Sequence, residues 1–155
     1  MIGNGGHASV LYEMPYPENG SLIIAVGDNA ARRRVALEKE GMRPPALFGK
    51  MVHPSAIVSK SASVGVGTVI MANVVVQAGA RIGKHVILNT GCTVDHGCIV
   101  EDYAHIAPGA HLCGDVHIGE GTLVGVGVGI APGCKVPAWS LVKARRLEIV
   151  PLSGN

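Results

Sequence analysis

Seven histidines and four cysteines carry much of the reactive chemistry of this 155-residue chain. An imidazole titrates near neutrality, so it can accept or return a proton at working pH, or ligate a metal as the neutral ring. The groupings that stand out are Asp95-His96-Gly97; the trio His105, His111 and His117 at intervals of six; and Gly3-Asn4-Gly5-Gly6 followed directly by His7. Proton transfer needs one histidine facing a groove, a metal site needs several ligands gathered at one point, and a glycine loop alone is a weak sign of a phosphate cradle. Which chemistry is open depends on how the backbone carries these residues.

The backbone signal is a period of six. Every sixth residue from Val52 to Val142 is Val, Ile or Leu, sixteen positions in all. Neither the 3.6-residue repeat of a helix nor the two-residue repeat of a flat strand sustains that pattern, whereas a parallel β-helix requires it. Two residues before each aliphatic stands a small or compact residue, including Ala56, Thr68, Ala80, Cys92, Cys98, Ala110 and Cys134. Both registers are expected to point inward. Three hexads make one triangular coil, so residues eighteen apart stack roughly 4.8 Å over one another, as adjacent strands do.

That ruler sorts the candidates. Asn73, Gly91, Gly109 and Gly127 form a corner column of residue types that accept positive φ. Ala78, Gly114 and Pro132 lie below and above His96, all with short side chains, which leaves a groove for a thin ligand. His105, His111 and His117 fall on three successive sides of one coil and point apart, so one chain cannot gather them on a metal. No two cysteines are eighteen apart, so disulfides are not expected. Cys92, Cys98 and Cys134 sit in the inward register, where a thiol packs as a compact apolar group. His85 and Tyr103 are one step apart and are expected to stack on an outer face, with Trp139 two steps further on.

Composition narrows the function classes. Aromatic residues are 3% of the chain and glycines number 22, which suits a coiled scaffold with tight corners. The formal net charge is +2, and Arg32-Arg33-Arg34 is the only basic cluster of three. Reading that cluster as a solvated helix face leaves no nucleic-acid footprint. No apolar stretch approaches membrane-spanning length, and no charged n-region with an apolar h-region opens the chain, so a soluble, cytoplasmic protein is expected.

Residues 1–50 follow another pattern. The run Leu22–Val26, then Gly27-Asp28-Asn29, reads as strand, glycine turn and helix start, with Asp28 or Asn29 capping a helix over Ala30–Glu40 that closes at Gly41. A complete mononucleotide-binding fold needs more strands and helices than this segment supplies. The chain therefore divides into an abbreviated α/β, Rossmann-like segment (1–50), a parallel β-helix (51–144) and a tail out of register (145–155). The fold class is mainly β.

The stretches Leu88-Asn89-Thr90-Gly91-Cys92-Thr93-Val94-Asp95-His96-Gly97-Cys98, His105-Ile106-Ala107-Pro108-Gly109-Ala110 and Leu112-Cys113-Gly114, behind a Gly-Gly-His loop and a short α/β segment, resemble the bacterial hexapeptide-repeat sugar O- and N-acetyltransferases. The resemblance spans nearly the whole chain. It implies a left-handed coil, a hand that the six-residue period alone does not set, and a homotrimer whose grooves are completed by the adjacent subunit. It also implies acetyl transfer from acetyl-CoA to an amine or hydroxyl of a sugar or nucleotide-linked amino sugar. On that resemblance His96 is the general base and Asn89 orders the acceptor. His105, Gly114 and Val126 lie along acetyl-CoA, and Gly5, Gly6, His7 and Gly27 touch the sugar nucleotide. No metal is implied. The family normally follows its base with Asp or Glu; here that place is Gly97, so the orienting carboxylate must be Asp95, Asp115 or a partner's residue, or is missing. Two alternatives stand beside this reading. One is a trimeric scaffold that binds CoA or sugar nucleotide without turnover. The other is a γ-carbonic-anhydrase-like zinc enzyme, which uses a histidine pair five residues apart that this sequence lacks.

Overall fold

The structure is a computed structural model that describes residues 1–3, 5–15 and 20–143. Asn4 and the tail assigned to 145–155 lie outside the described residues. Among the described residues sixteen two-residue strands run from β1 (Met51–Val52), β2 (Ile57–Val58) and β3 (Ser63–Val64) to β16 (Leu141–Val142). Every third strand pairs in parallel, giving one sheet β1-β4-β7-β10-β13-β16 and two five-stranded sheets that begin with β2 and β3. The register is eighteen throughout, as in Met51↔Val69, His105↔Leu123 and His117↔Lys135. The period of six has produced the triangular prism.

Both inward registers form the core. Ile70, Leu88, Val94, Ile106 and Ile118 alternate with Val74, Cys92, Cys98, Ala104 and Ala110, all fully buried. Two inward threonines are satisfied across rungs: the Thr68 hydroxyl donates to the Gly83 carbonyl (2.8 Å) and accepts from the Val86 N–H (3.0 Å), and Thr122 donates to the Pro137 carbonyl (2.8 Å). The column reaches its limit at the last rungs, where Cys134 is exposed rather than packed. Among the described residues no coil lies above that rung to bury the small register. All four cysteines are free, and burial pushes the Cys92 thiol up to about 12.

Three corners turn the chain with left-handed residues. The column Asn73, Gly91, Gly109 and Gly127 has φ of 58°, 67°, 65° and 65°, and forms the first edge, between the β1 and β2 sheets. The second edge carries Gly79, Gly97, Asp115 and Gly133, and the third Gly67, His85, Tyr103, Gly121 and Trp139, all at positive φ.

The N-terminal segment lies on the β1 sheet. Helix α1 (Gly6–Leu11) opens at the Gly-Gly-His motif, and α2 (Asn29–Glu40) is capped by Asp28, whose carboxylate accepts from the Ala31 N–H at 2.7 Å. The expected strand over Leu22–Val26 is reduced to isolated parallel bridges, Ile2↔Ile24 and Leu22↔Phe48. Ala8, Leu11, Met14, Ile23 and Ala25 join one core with Met51, Val69 and Ile87, outward residues of the β-helix that the segment covers.

That covering overturns two expectations. Arg32 does not belong to a solvated face: it is 1% exposed, and its guanidinium donates to the carbonyls of His85 (2.8 Å), Val26 (3.0 Å), Gly27 (3.1 Å) and Tyr103 (2.7 Å) and to Asn29 Oδ1 (2.8 Å). Burial holds it down to about 10. Only Arg33 and Arg34 face water, Arg33 pairing with Glu120 at 3.0 Å and lying 6.0 Å from the Trp139 ring. His85 and Tyr103 do stack, with ring centroids 5.4 Å apart and planes 1° from parallel, but beneath the N-terminal segment, with Phe48 edge-on to His85. They are buried because α2 docks across the third edge. No helix among the described residues is long and apolar enough to cross a membrane.

Candidate active site

The second edge positions His96. Strand β8 (Thr93–Val94) ends, Asp95-His96-Gly97 turns the corner, and β9 (Ile99–Val100) begins. Gly97 makes the turn at φ 67° and donates to the Ala78 carbonyl one rung below at 3.1 Å. The Asp95 carboxylate is engaged locally, accepting from the His96 N–H at 2.7 Å. His96 is exposed, and its ring lies flat over Gly114 in the next rung. A Cβ on Gly114 would come within 2.5 Å of Cε1 and 2.7 Å of Nε2, so the imidazole occupies the room that glycine leaves. Beside it, on the β2 sheet, is an open depression of about 300 Å³ lined by Val75, Thr93, Asp95, His111 and Cys113 among others. Thr93 Oγ1 and His111 Nδ1 hydrogen-bond at 2.9 Å on its floor.

A second cluster sits where the N-terminal segment meets the β1 sheet. Asn89, just after β7 (Ile87–Leu88), turns its amide to His105 Nε2 at 3.1 Å, while its carbonyl oxygen accepts from the Thr90 N–H at 2.8 Å. His105, on β10 (His105–Ile106), is also bonded by the Gly27 backbone and sits within the fields of Arg32 and His7. Burial, then Arg32 and His7, lower His105 to about 4; burial, then Arg32, lower His7 to about 4 as well. The His7 Nε2 atom is buried with no hydrogen-bond partner among the described residues. Gly5 and Gly6 look onto open space, and a Cβ built on Gly27 would lie 3.9 Å from the His7 Cβ.

One chain therefore gathers Asn89, His105, His7 and Gly27 at one place and His96 with Gly114 at another, with the β2 sheet between them. Val126 stands apart from both, 63% exposed beside the bare glycines of the first edge. His105, His111 and His117 stand on three different sheets. Among the described residues no group of three or more His, Cys, Asp or Glu is placed to hold a metal ion.

The lowered histidines make docking of the N-terminal segment pH-dependent. Each has a folded pKa of about 4 against an ordinary 6.5, so between those values the undocked state binds more protons and stability rises with pH. Docking is fully present above about pH 6.5 and is lost as pH falls towards 4. Amide hydrogen exchange in α2 is expected to speed up between pH 7 and pH 4.5 beyond its intrinsic change, and less so in His105→Asn. Equal protection at both pH values would contradict this account.

Comparison with known proteins decides the family. PerB from Caulobacter crescentus, in complex with CoA and GDP-perosamine, superposes with a TM-score of 0.81 at 30% identity, covering 90% of this chain and 83% of that one. The acetyltransferase domain of PglB from Neisseria gonorrhoeae, in complex with acetyl coenzyme A, gives 0.74 at 34% identity over 91% and 70%. The chain belongs to the hexapeptide-repeat sugar acetyltransferase family. The coil has the left hand of that family. UDP-N-acetylbacillosamine N-acetyltransferase of Bacillus subtilis is 54% identical over 50 residues, 32% of this chain and 22% of that enzyme. Another structure of the Neisseria domain is 37% identical over 86% of this chain and 64% of that one. The chain thus spans less than two thirds of the length of these last two family members. No protein-family model matches it.

Sequence reasoning missed Arg32 and the buried setting of His85. A signal existed for the first: Asn29, Arg32 and Ala36 are spaced three and four apart, one face of a helix, and are the residues of α2 that become buried. For His85 there was none, since an outward corner residue is buried only if another segment lies on it.

Proposed function

We propose that this chain transfers the acetyl group of acetyl-CoA to an amine or hydroxyl of a nucleotide-linked sugar, with His96 as general base. The observation that carries this is the His96 ring laid on Gly114 at an exposed edge of a fold shared with enzymes crystallised with CoA and a nucleotide sugar. His96 removes the acceptor's proton as its nitrogen or oxygen attacks the thioester carbonyl. The tetrahedral intermediate collapses, the C–S bond breaks, and the imidazolium returns the proton to the departing thiolate.

On this reading residues 51–144 form the catalytic β-helix and residues 1–50 the sugar-nucleotide segment, with Gly5, Gly6, His7 and Gly27 nearest the substrate. A homotrimer unites the two clusters that one chain holds apart: His96 of one copy meets Asn89 and His105 of the next. The uncharged first edge, with Ala72, Thr90, Pro108 and Val126 beside its glycines, supports close approach of another copy. Gly114 and Val126 then flank acetyl-CoA, in the cytoplasm where that donor is made.

The test is calorimetry with acetyl-CoA followed by turnover on a panel of UDP- and GDP-linked amino sugars. Saturable donor binding and acetylation of at least one acceptor are expected. Donor binding with no turnover on any acceptor would favour a scaffold that has lost its chemistry.

Gly114 gives a sharper check. Gly114→Ala pushes the imidazole off its seat, and a displacement of about 1 Å can cost roughly 10²-fold in rate. The variant is expected to lose kcat on that scale with no change in thermal midpoint, because the displaced ring swings into solvent. Wild-type kcat in the alanine variant would show that Gly114 does not set the ring.

A further inference from the structure

Hydrogen-bond chemistry fixes the direction of every bond in the Asn89–His105 cluster. An amide oxygen only accepts and an amide NH2 only donates. The Asn89 oxygen is taken by the Thr90 N–H at 2.8 Å, so it is the nitrogen of that amide which lies 3.1 Å from His105 Nε2. That nitrogen donates, and Nε2 is therefore the unprotonated, accepting nitrogen of the ring. The proton of the neutral imidazole then sits on Nδ1. Its partner is the Gly27 backbone, which raises the ring's affinity for protons as an accepting carbonyl does. Arg32 donates to that same Gly27 carbonyl at 3.1 Å, and to the carbonyl of Ala104, the residue before His105, at 3.4 Å. One buried guanidinium thus holds both the ring's partner and the backbone that carries the ring. The run from Thr90 through Asn89 and His105 to Gly27 donates in one direction throughout.

We propose that His105 is a positioning residue: a neutral ring in a single tautomer that ties the N-terminal segment to the Asn89 amide and sets which way that amide faces. One Asn89 N–H is held by the ring, and the other, with no partner among the described residues, is offered to a ligand. His105 exchanges no proton with the substrate, because both of its nitrogens are engaged. Burial, then Arg32 and His7, hold it down to about 4, which keeps Nε2 free of a proton at neutral pH. The proposal deepens the reading of this cluster as part of the transfer site and rests on that reading for its kinetic consequence, but not for its geometry.

The geometry is tested without turnover, by nitrogen-15 shifts of the His105 ring. The wild type is expected to show the Nδ1–H tautomer alone at neutral pH. Asn89→Asp puts a carboxylate oxygen opposite Nε2 while its other oxygen still meets the Thr90 N–H. Nε2 is then expected to take up a proton, and the His105 midpoint to rise by about 1–3 pH units. A mixture of tautomers in the wild type, or a midpoint unmoved in Asn89→Asp, would overturn the proposal.

Kinetics test the consequence. His105→Leu fills the space but ties nothing to Asn89, and is expected to lower kcat about 10- to 100-fold with the acetyl-CoA dissociation constant, read by calorimetry, unchanged. His105→Gln keeps an amide oxygen that can accept from Asn89 and is expected to recover a large part of that loss. A glutamine variant no faster than the leucine one would overturn the role, as would weaker acetyl-CoA binding in His105→Leu, which would put the ring on the donor instead. Absence of acetyl transfer in the wild type, with the single tautomer and the aspartate response both present, would support the tie to Asn89 and sink only the assignment of activity.

Discussion

His96→Ala is expected to reduce kcat by about 10²- to 10⁴-fold, the range that a positioned general base supplies, with little change in the affinity for acetyl-CoA. His96 is exposed on a corner, its ring makes no hydrogen bond among the described residues, and it covers a glycine rather than filling the core. Removing the ring therefore leaves no cavity and no orphaned polar group, so the thermal midpoint should stay within about a degree or two of the wild type. A fall in kcat with KM for the acceptor nearly constant is the signature of an interaction made in the transition state. Steady-state kinetics at saturating acetyl-CoA would read it, and a loss below about tenfold would mean that another group accepts the proton.

Arg32→Met carries the largest expected effect on stability. Methionine keeps most of the apolar bulk but leaves the carbonyls of Val26, Gly27, His85 and Tyr103 and the Asn29 amide oxygen without their shared donor. Each buried acceptor so stranded costs roughly 1–3 kcal/mol, less where water reaches it, and a total of about 3–5 kcal/mol is expected. The loss should fall on docking, since the guanidinium joins α2 to the His85 and Tyr103 carbonyls of the third edge. Urea denaturation followed by Trp139 fluorescence, with limited proteolysis of residues 1–50, would report both. Arg32→Lys should recover only part of the loss, because three donors on one nitrogen cannot reach carbonyls on several sides as the planar fork does. A decrease below about 1 kcal/mol in the methionine variant would show that solvent replaces the fork.

Gly97 illustrates why a sequence departure is hard to read in one dimension. Beside His96 it looks like a missing acid. In the prism it is one member of the column Gly79, Gly97, Asp115 and Gly133, and the Asp115 carboxylate, eighteen residues on, occupies the space that a side chain at 97 would fill. The same displacement explains Gly114, which sequence spacing marked as a short neighbour of His96 and which the structure shows to be the surface on which the ring rests.

The sequence by itself determined the β-helix: the coil length, the register of eighteen, the inward columns, the first edge of Asn73, Gly91, Gly109 and Gly127, and the helix over residues 30–40. These are legible because a solenoid repeats one local rule, so each residue's neighbours follow from arithmetic along the chain. Tertiary structure alone decided what lies on that solenoid. The docking of the N-terminal segment turned Arg32, His85 and Tyr103 from surface residues into a buried junction, and lowered His7 and His105 by removing them from water. No period links residues 1–50 to residues 51–143, and the burial of a charge or an imidazole depends on which surface happens to close over it.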